Sequence, residues 1–154
     1  MDLLQWIKTN RPGTTTEYSD RIEITHDCGE HSTLWLRVKD SCPEALKTTE
    51  VFNRYDGADL FSSTFKIASI REPKFRDGVQ LTFTLVEIES EFLADTDSLP
   101  ELVTPFMLQQ GIGIYSVGNV SGNIYEWDTE LNELTDNFPC IVDVLDQWLE
   151  AVSS

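Results

Sequence analysis

The chain has 154 residues, 40% of them apolar, and a formal net charge of −16. That is the size of a single domain with a core of its own, and no apolar run is long enough to cross a bilayer. Three cysteines, Cys28, Cys42 and Cys140, are odd in number and widely spaced, which argues for free thiols and against a disulfide framework.

The N-terminus carries an acid at position 2 and no small-residue cleavage site, so no leader peptide is expected and the cytoplasm is the expected location. Leu3, Leu4 and Ile7 recur at helical spacing and predict a short first helix. RPGTTTEYSD reads as a turn-rich connector. RIEIT (21–25) and TLWLRV (33–38) alternate and predict two strands, which HDCGEHS joins as a hairpin loop. In SCPEALKTTEVFNRYDG, Ser41 and Glu44 fit a capping box and Pro43 sits in the first turn. Leu46, Thr49, Phe52 and Tyr55 form one stripe of this helix, and Gly57 would end it.

TFKIASI (64–70) predicts a strand, EPKFRDG a turn centred on Asp77-Gly78, and VQLTFTLVEIE (79–89) a long strand. That strand places Val79, Leu81, Phe83 and Leu85 on one face; Val86 and Ile88 then slip to the other, which suggests a bulge or burial on both sides. In FLADTDSLPELVTPFMLQQ, Ser98 and Glu101 repeat the capping pattern, and Pro105 limits any helix to about two turns. GIGIYSVGN and GNIYEWD predict a hairpin. In NFPCIVDVLDQWLEAV, Ile141, Val142, Leu145, Trp148, Leu149 and Val152 form a helical stripe, with Asn137 as its expected N-cap. The order predicts one α+β domain over 1–154, with a mostly antiparallel sheet and helices packed on one side.

Charge is distributed unevenly. All eleven Lys and Arg lie between Lys8 and Arg76, against twelve acids, a net of −1. From Asp77 onward there are fifteen acids and no Lys, Arg or His. Phosphate backbones and anionic membranes need clustered cations, so both are disfavoured as partners, and a basic protein is favoured. The expected contact residues are Glu126, Asp128, Glu130, Glu133 and Asp136, with Glu89, Glu91, Asp95 and Asp97 as a second acidic cluster. Within IYEWD, Ile124, Glu126 and Asp128 share one face and Tyr125 and Trp127 the other. The plain expectation is that the aromatics lie under the last helix and the acids face water.

His26, Cys28 and His31 have zinc-ligand chemistry, with Asp27 and Glu30 nearby. A tetrahedral site would need Cys42 or an acid as fourth ligand, and a polar hairpin tip turned by Gly29 explains the same residues. No nucleophile motif, phosphate loop or singled-out carboxylate pair is present. The expectation is therefore a non-enzyme without cofactor or metal.

PEALKTTEVFNRYDGADLF resembles the helix-then-glycine segment of the SUKH superfamily (Smi/Knr-like domains), with Pro43, Phe52, Tyr55, Gly57, Leu60 and Phe61 at the matching places. IYSVGNVSGNIYEWDTELNEL resembles that family's late hairpin through Gly122, Ile124, Tyr125, Trp127, Asp128 and Glu130, and FPCIVDVLDQWLEAV its closing helix. The resemblance covers residues 41–152; the first forty residues fit loosely, and LQQGIGIYSVGN stands where members carry a glycine- and acid-rich run. It implies a protein-binding domain: a bacterial immunity protein that neutralises a toxin, such as a nuclease, or else a regulator of cell-wall synthesis acting through protein contacts. A metal-dependent enzyme using the His26–Cys28–His31 loop is the third alternative.

Overall fold

A computed structural model describes residues 2–37, 51–91 and 99–153, with the side chain of Glu91 left out. Its centre is a nine-stranded antiparallel sheet. Its strands before the break in the meander begin with β1 (Gly13–Glu17), β2 (Arg21–His26), β3 (His31–Leu36) and β4 (Tyr55–Leu60). β5 (Phe65–Ile67) follows. A separate two-stranded hairpin, β6 (Phe75–Arg76) and β7 (Val79–Gln80), then intervenes. The large sheet resumes with β8 (Val103–Gln109), β9 (Gly113–Gly118), β10 (Ile124–Asp128) and β11 (Glu133–Phe138). The helices are α1 (Leu3–Asn10), α2 (Val51–Arg54), α3 (Leu85–Glu91) and α4 (Ile141–Ser153). The α+β class and the antiparallel sheet agree with the sequence reading.

Residues paired across antiparallel strands point to the same face. One row runs Ile22, Leu34, Ala58, Ile67, Met107, Tyr115, Glu126 and Asp136: an apolar line that ends in two carboxylates. α1 and α4 cover this face. Trp6 Nε1 on α1 donates to Asp146 on α4 at 2.7 Å. Trp148 stacks on Phe61 with ring centres 4.6 Å apart and planes 12° from parallel, and Phe61 and Phe65 are fully buried. These aromatic contacts, with the removal of Leu145, Ile7 and Leu34 from water, form the main core.

The opposite row runs Glu23, Thr33, Asp59, Lys66, Leu108, Ile114, Trp127 and Leu134. Ile88 of α3 shares a cleft with Lys66, Leu108 and Ile114 of this row. The one-sided helical layer therefore holds for α1 and α4, while α3 lies on the other face.

The structure corrects several local expectations. The strand expected over 79–89 is β7 followed by α3. Thr84 and Glu87 form a reciprocal cap: Glu87 N–H donates to Thr84 Oγ1 and Thr84 N–H to Glu87 Oε1, both at 3.2 Å. The slip at Val86 is where the period changes from two to 3.6. The connector expected over 11–20 contains β1, where three β-branched threonines extend beside β2. Gly13 is required there, because a Cβ would stand 2.1 Å from the Thr25 carbonyl oxygen.

Tyr55 opens β4 rather than extending the helix, and Gly57 lies inside β4 at φ +92° rather than ending a helix. The strand expected over 64–70 is confined to Phe65–Ile67. Pro105 sits in β8 at a register shift, where a missing N–H is tolerated. Asn137 belongs to β11, paired with Tyr125, and α4 starts beyond Pro139 and Cys140. The capping residues Ser41, Pro43, Glu44 and Ser98, with Leu46 and Thr49, lie outside the described residues.

The first helix and the β2–β3 and β9–β10 hairpins stand as expected, and so does α4, except that its buried side takes in Val144 while Val152 of the expected stripe is exposed. The Asp77-Gly78 turn also stands as expected, where φ values of +52° and +79° suit a tight hairpin connection.

Candidate functional site

The acids of the last hairpin have two kinds of role. Glu126 faces α4 on the main core side and is only partly exposed. Its Oε2 accepts from the Tyr115 hydroxyl at 2.8 Å, and Thr135 Oγ1 donates to its Oε1 at 2.5 Å. Burial and then the neighbouring Glu126 push the Tyr115 hydroxyl pKa upward, so Tyr115 stays a donor. Asp128 is bound into the turn: its Oδ1 accepts from the N–H groups of Glu130 and Leu131 at 2.9 and 2.8 Å. Asp136 is exposed and caps the Asn137 N–H at 2.8 Å. Glu130 and Glu133 are exposed with solvent-facing carboxylates.

This division corrects the face assignment. The phase of the strand is as read, but Ile124 and Glu126 lie on the α4 side, while Tyr125 and Trp127 are buried on the opposite face. The alternation of a strand fixes which residues go together; it does not fix which side is wet when both sides are covered.

Of the second cluster, Glu89 is exposed on α3, and Glu91 ends that helix. Asp95 and Asp97 lie outside the described residues. Glu87 of α3 and Thr129 of the β10–β11 turn line one open cleft of about 740 Å³, whereas Glu89 is not among its lining residues. Its floor is Leu108 and Ile114, and Lys66 reaches over the Phe83 ring at 5.4 Å.

Among the described residues every ion pair lies within positions 2–76: Arg11–Glu30, Arg21–Asp20, Arg21–Glu23, Arg54–Asp2, Lys74–Asp56 and Arg76–Glu23. The hairpin acids and Glu89 have no basic partner among the described residues.

Glu101 is a structural acid that sequence reasoning placed at a helix start. It instead organises the β9–β10 turn, accepting from the Ser121 hydroxyl, from the Val120 and Ser121 N–H groups at 2.9 and 3.0 Å, and from the Tyr125 hydroxyl at 2.8 Å. The Ser121 hydroxyl, followed by those amides, lowers its pKa to about 2.

The His26–Cys28–His31 loop does not converge. His26 is buried on the α1 side, with Nδ1 2.5 Å from the Arg11 carbonyl oxygen and Nε2 2.7 Å from Ser32 Oγ. The Ser32 hydroxyl oxygen also accepts the Phe61 N–H at 2.9 Å. His31 pairs with Thr25 on the other face, and the exposed Cys28 thiol lies 3.3 Å from Glu30 Oε1. Both ring nitrogens of His26 are thus engaged within the fold, and the described residues contain no group of three metal-ligating side chains. No described helix is long and apolar enough to cross a membrane.

Comparison with protein-family models, with curated proteins and with solved structures found no match.

Proposed function

We propose that this chain is a non-enzymatic, cytoplasmic protein-binding domain of SUKH type, an immunity protein that masks a basic toxin through the β10–β11 hairpin. The observation that carries this reading is the concentration, at one end of the sheet, of carboxylates that have no basic partner among the described residues, in a chain half that holds no cation. A nuclease toxin is basic because its substrate is a polyanion. Acids held on such a scaffold pair with its Lys and Arg and keep nucleic acid out. Long-range attraction sets the association rate, and desolvated contacts in the depression beside α3 set the dissociation rate.

The contact residues are Glu130, Glu133, Asp136 and Glu89, with Asp128 shaping the turn. Glu126 moves from contact residue to support, since Tyr115 and Thr135 already hold its two oxygens. The test is a pull-down from the native host followed by a nuclease-protection assay. Capture of a basic toxin that the chain inhibits supports the reading. Capture of an inhibitor-insensitive, non-toxin partner replaces it with the regulatory role, and loss of no binding on reversing Glu130, Glu133 and Asp136 to Lys removes the hairpin as the surface.

A further inference from the structure

The two edges of the nine-stranded sheet differ in kind. β11 is closed to further pairing. Its register shifts between Glu126 and Trp127, and Asp136 occupies the Asn137 N–H. A bulge and charge of this sort protect an edge from added strands. β1 has no bulge, and its one charge, Glu17, is at its end. Its register with β2 is unbroken over five pairs, and Thr14, Thr15 and Thr16 are uncharged, β-branched and free of Pro or Lys.

The hydrogen bonds at the two ends of β1 fix which of its backbone groups are open. Tyr18 N–H donates to the Arg21 carbonyl, and Asp27 N–H donates to the Pro12 carbonyl. Residues 12, 14, 16 and 18 therefore turn their peptide groups toward β2. Alternation leaves the N–H and C=O of Gly13, Thr15 and Glu17 pointing outward. Among the described residues no strand lies beyond β1.

We propose that β1 is a homodimer edge, at which two copies pair antiparallel about a twofold axis through Thr15 and join their sheets. The open groups are symmetric about that residue. In this register Thr15 exchanges both its bonds with Thr15 of the second copy. Gly13 and Glu17 exchange theirs with Glu17 and Gly13, so all six open groups are satisfied. Glu17, the only charge on the strand, meets Gly13 rather than another Glu17. Tyr18, which is 45% exposed, comes opposite Pro12.

Charge selects this edge for a second copy of so acidic a chain. Near β1 three of the acids, Asp20, Glu23 and Glu30, are bridged by Arg21 and Arg11, which leaves Glu17 and Asp27 as the acids there without an ion pair among the described residues. The hairpin acids, which have no basic partner among the described residues, belong to the opposite edge, eight strands along the sheet order from β1. Repulsion between exposed charges farther apart than the Debye length, about 8 Å at physiological salt, is screened. The inference is independent of the proposed toxin contact, which lies at the opposite edge.

Sedimentation of the purified chain from about micromolar to about millimolar concentration tests it. The expected result is a concentration-dependent dimer that persists as salt is raised. Thr15→Pro removes an outward N–H without touching the β2 ladder, and Thr15→Lys sets two ammonium groups across the axis. Each should raise the dimer dissociation constant about tenfold or more, whereas Val120→Ser in the β9–β10 turn should not change it. A monomer at every concentration, or a dimer equally tight in the Thr15 variants, overturns the proposal. If Thr15→Pro does not fold by circular dichroism, Thr15→Lys decides alone.

Discussion

The Tyr115 hydroxyl and the Glu126 carboxylate face each other across the β9–β10 pair, 2.8 Å apart, with the Gln109 side-chain amide 2.9 Å from the same hydroxyl. The pair closes the acidic end of the core row under α4. Tyr115→Phe keeps the ring and removes the donor, leaving a half-buried carboxylate short of a partner. The expected loss is about 1.5–3 kcal/mol of unfolding free energy, read by urea titration. Glu126→Gln, which still accepts from Tyr115, should cost less.

The exposed acids are expected to behave differently. Glu130→Lys and Glu133→Lys together should change stability within about 0.5 kcal/mol per site, because both side chains are exposed. The same changes should slow association with a basic partner and flatten its salt dependence, as stopped-flow binding would show. Unchanged association kinetics would remove these residues from the interface.

Glu101 sets an acid limit. Its folded pKa of about 2 lies below the ordinary 4.5 because Ser121 and two amides bind the ionised form. Unfolding therefore takes up a proton, and the stabilisation is full above the ordinary value and lost as pH falls through the range from 4.5 to about 2. Glu101→Gln should remove this part of the acid dependence, visible as a smaller drop in Tm between those pH values.

Thr84→Ala removes one arm of the cap that starts α3 and should cost about 1 kcal/mol. Thr84→Ser should recover most of it. Hydrogen exchange at the Glu87 amide, which donates to Thr84 Oγ1, reports the loss at the site itself.

Ser32→Ala leaves a buried His26 nitrogen and the Phe61 amide without their shared partner. A penalty of about 1–3 kcal/mol is expected for each orphaned group, so this substitution should lower Tm more than any exposed carboxylate change.

What the sequence made legible follows the strength of local signals. α4 and the β9–β10 hairpin stand out because apolar periodicity and turn residues agree there. β1 was hidden because threonines on an edge carry no apolar alternation. α3 was hidden because Leu81, Phe83 and Leu85 continue a period-two pattern into its first turn, although Thr84 and Glu87 spell the cap. The uneven charge was visible in composition alone. The burden on Glu126 was not, since only the strand register brings Tyr115 beside it. Glu101 resembles a helix-start acid in sequence because its real partners, Val120 and Ser121, come from a turn distant in sequence.

Within the large sheet, every strand pairs with its neighbour in sequence except at one seam, β5 with β8, where the chain first detours through β6, β7 and α3. Local hairpins nucleate with little loop entropy, but this seam must close a long excursion before Ile67 meets Met107. The β1–β5 and β8–β11 sectors should thus assemble separately and zip together late, so substitutions at Ile67 or Met107 speed unfolding far more than they slow refolding.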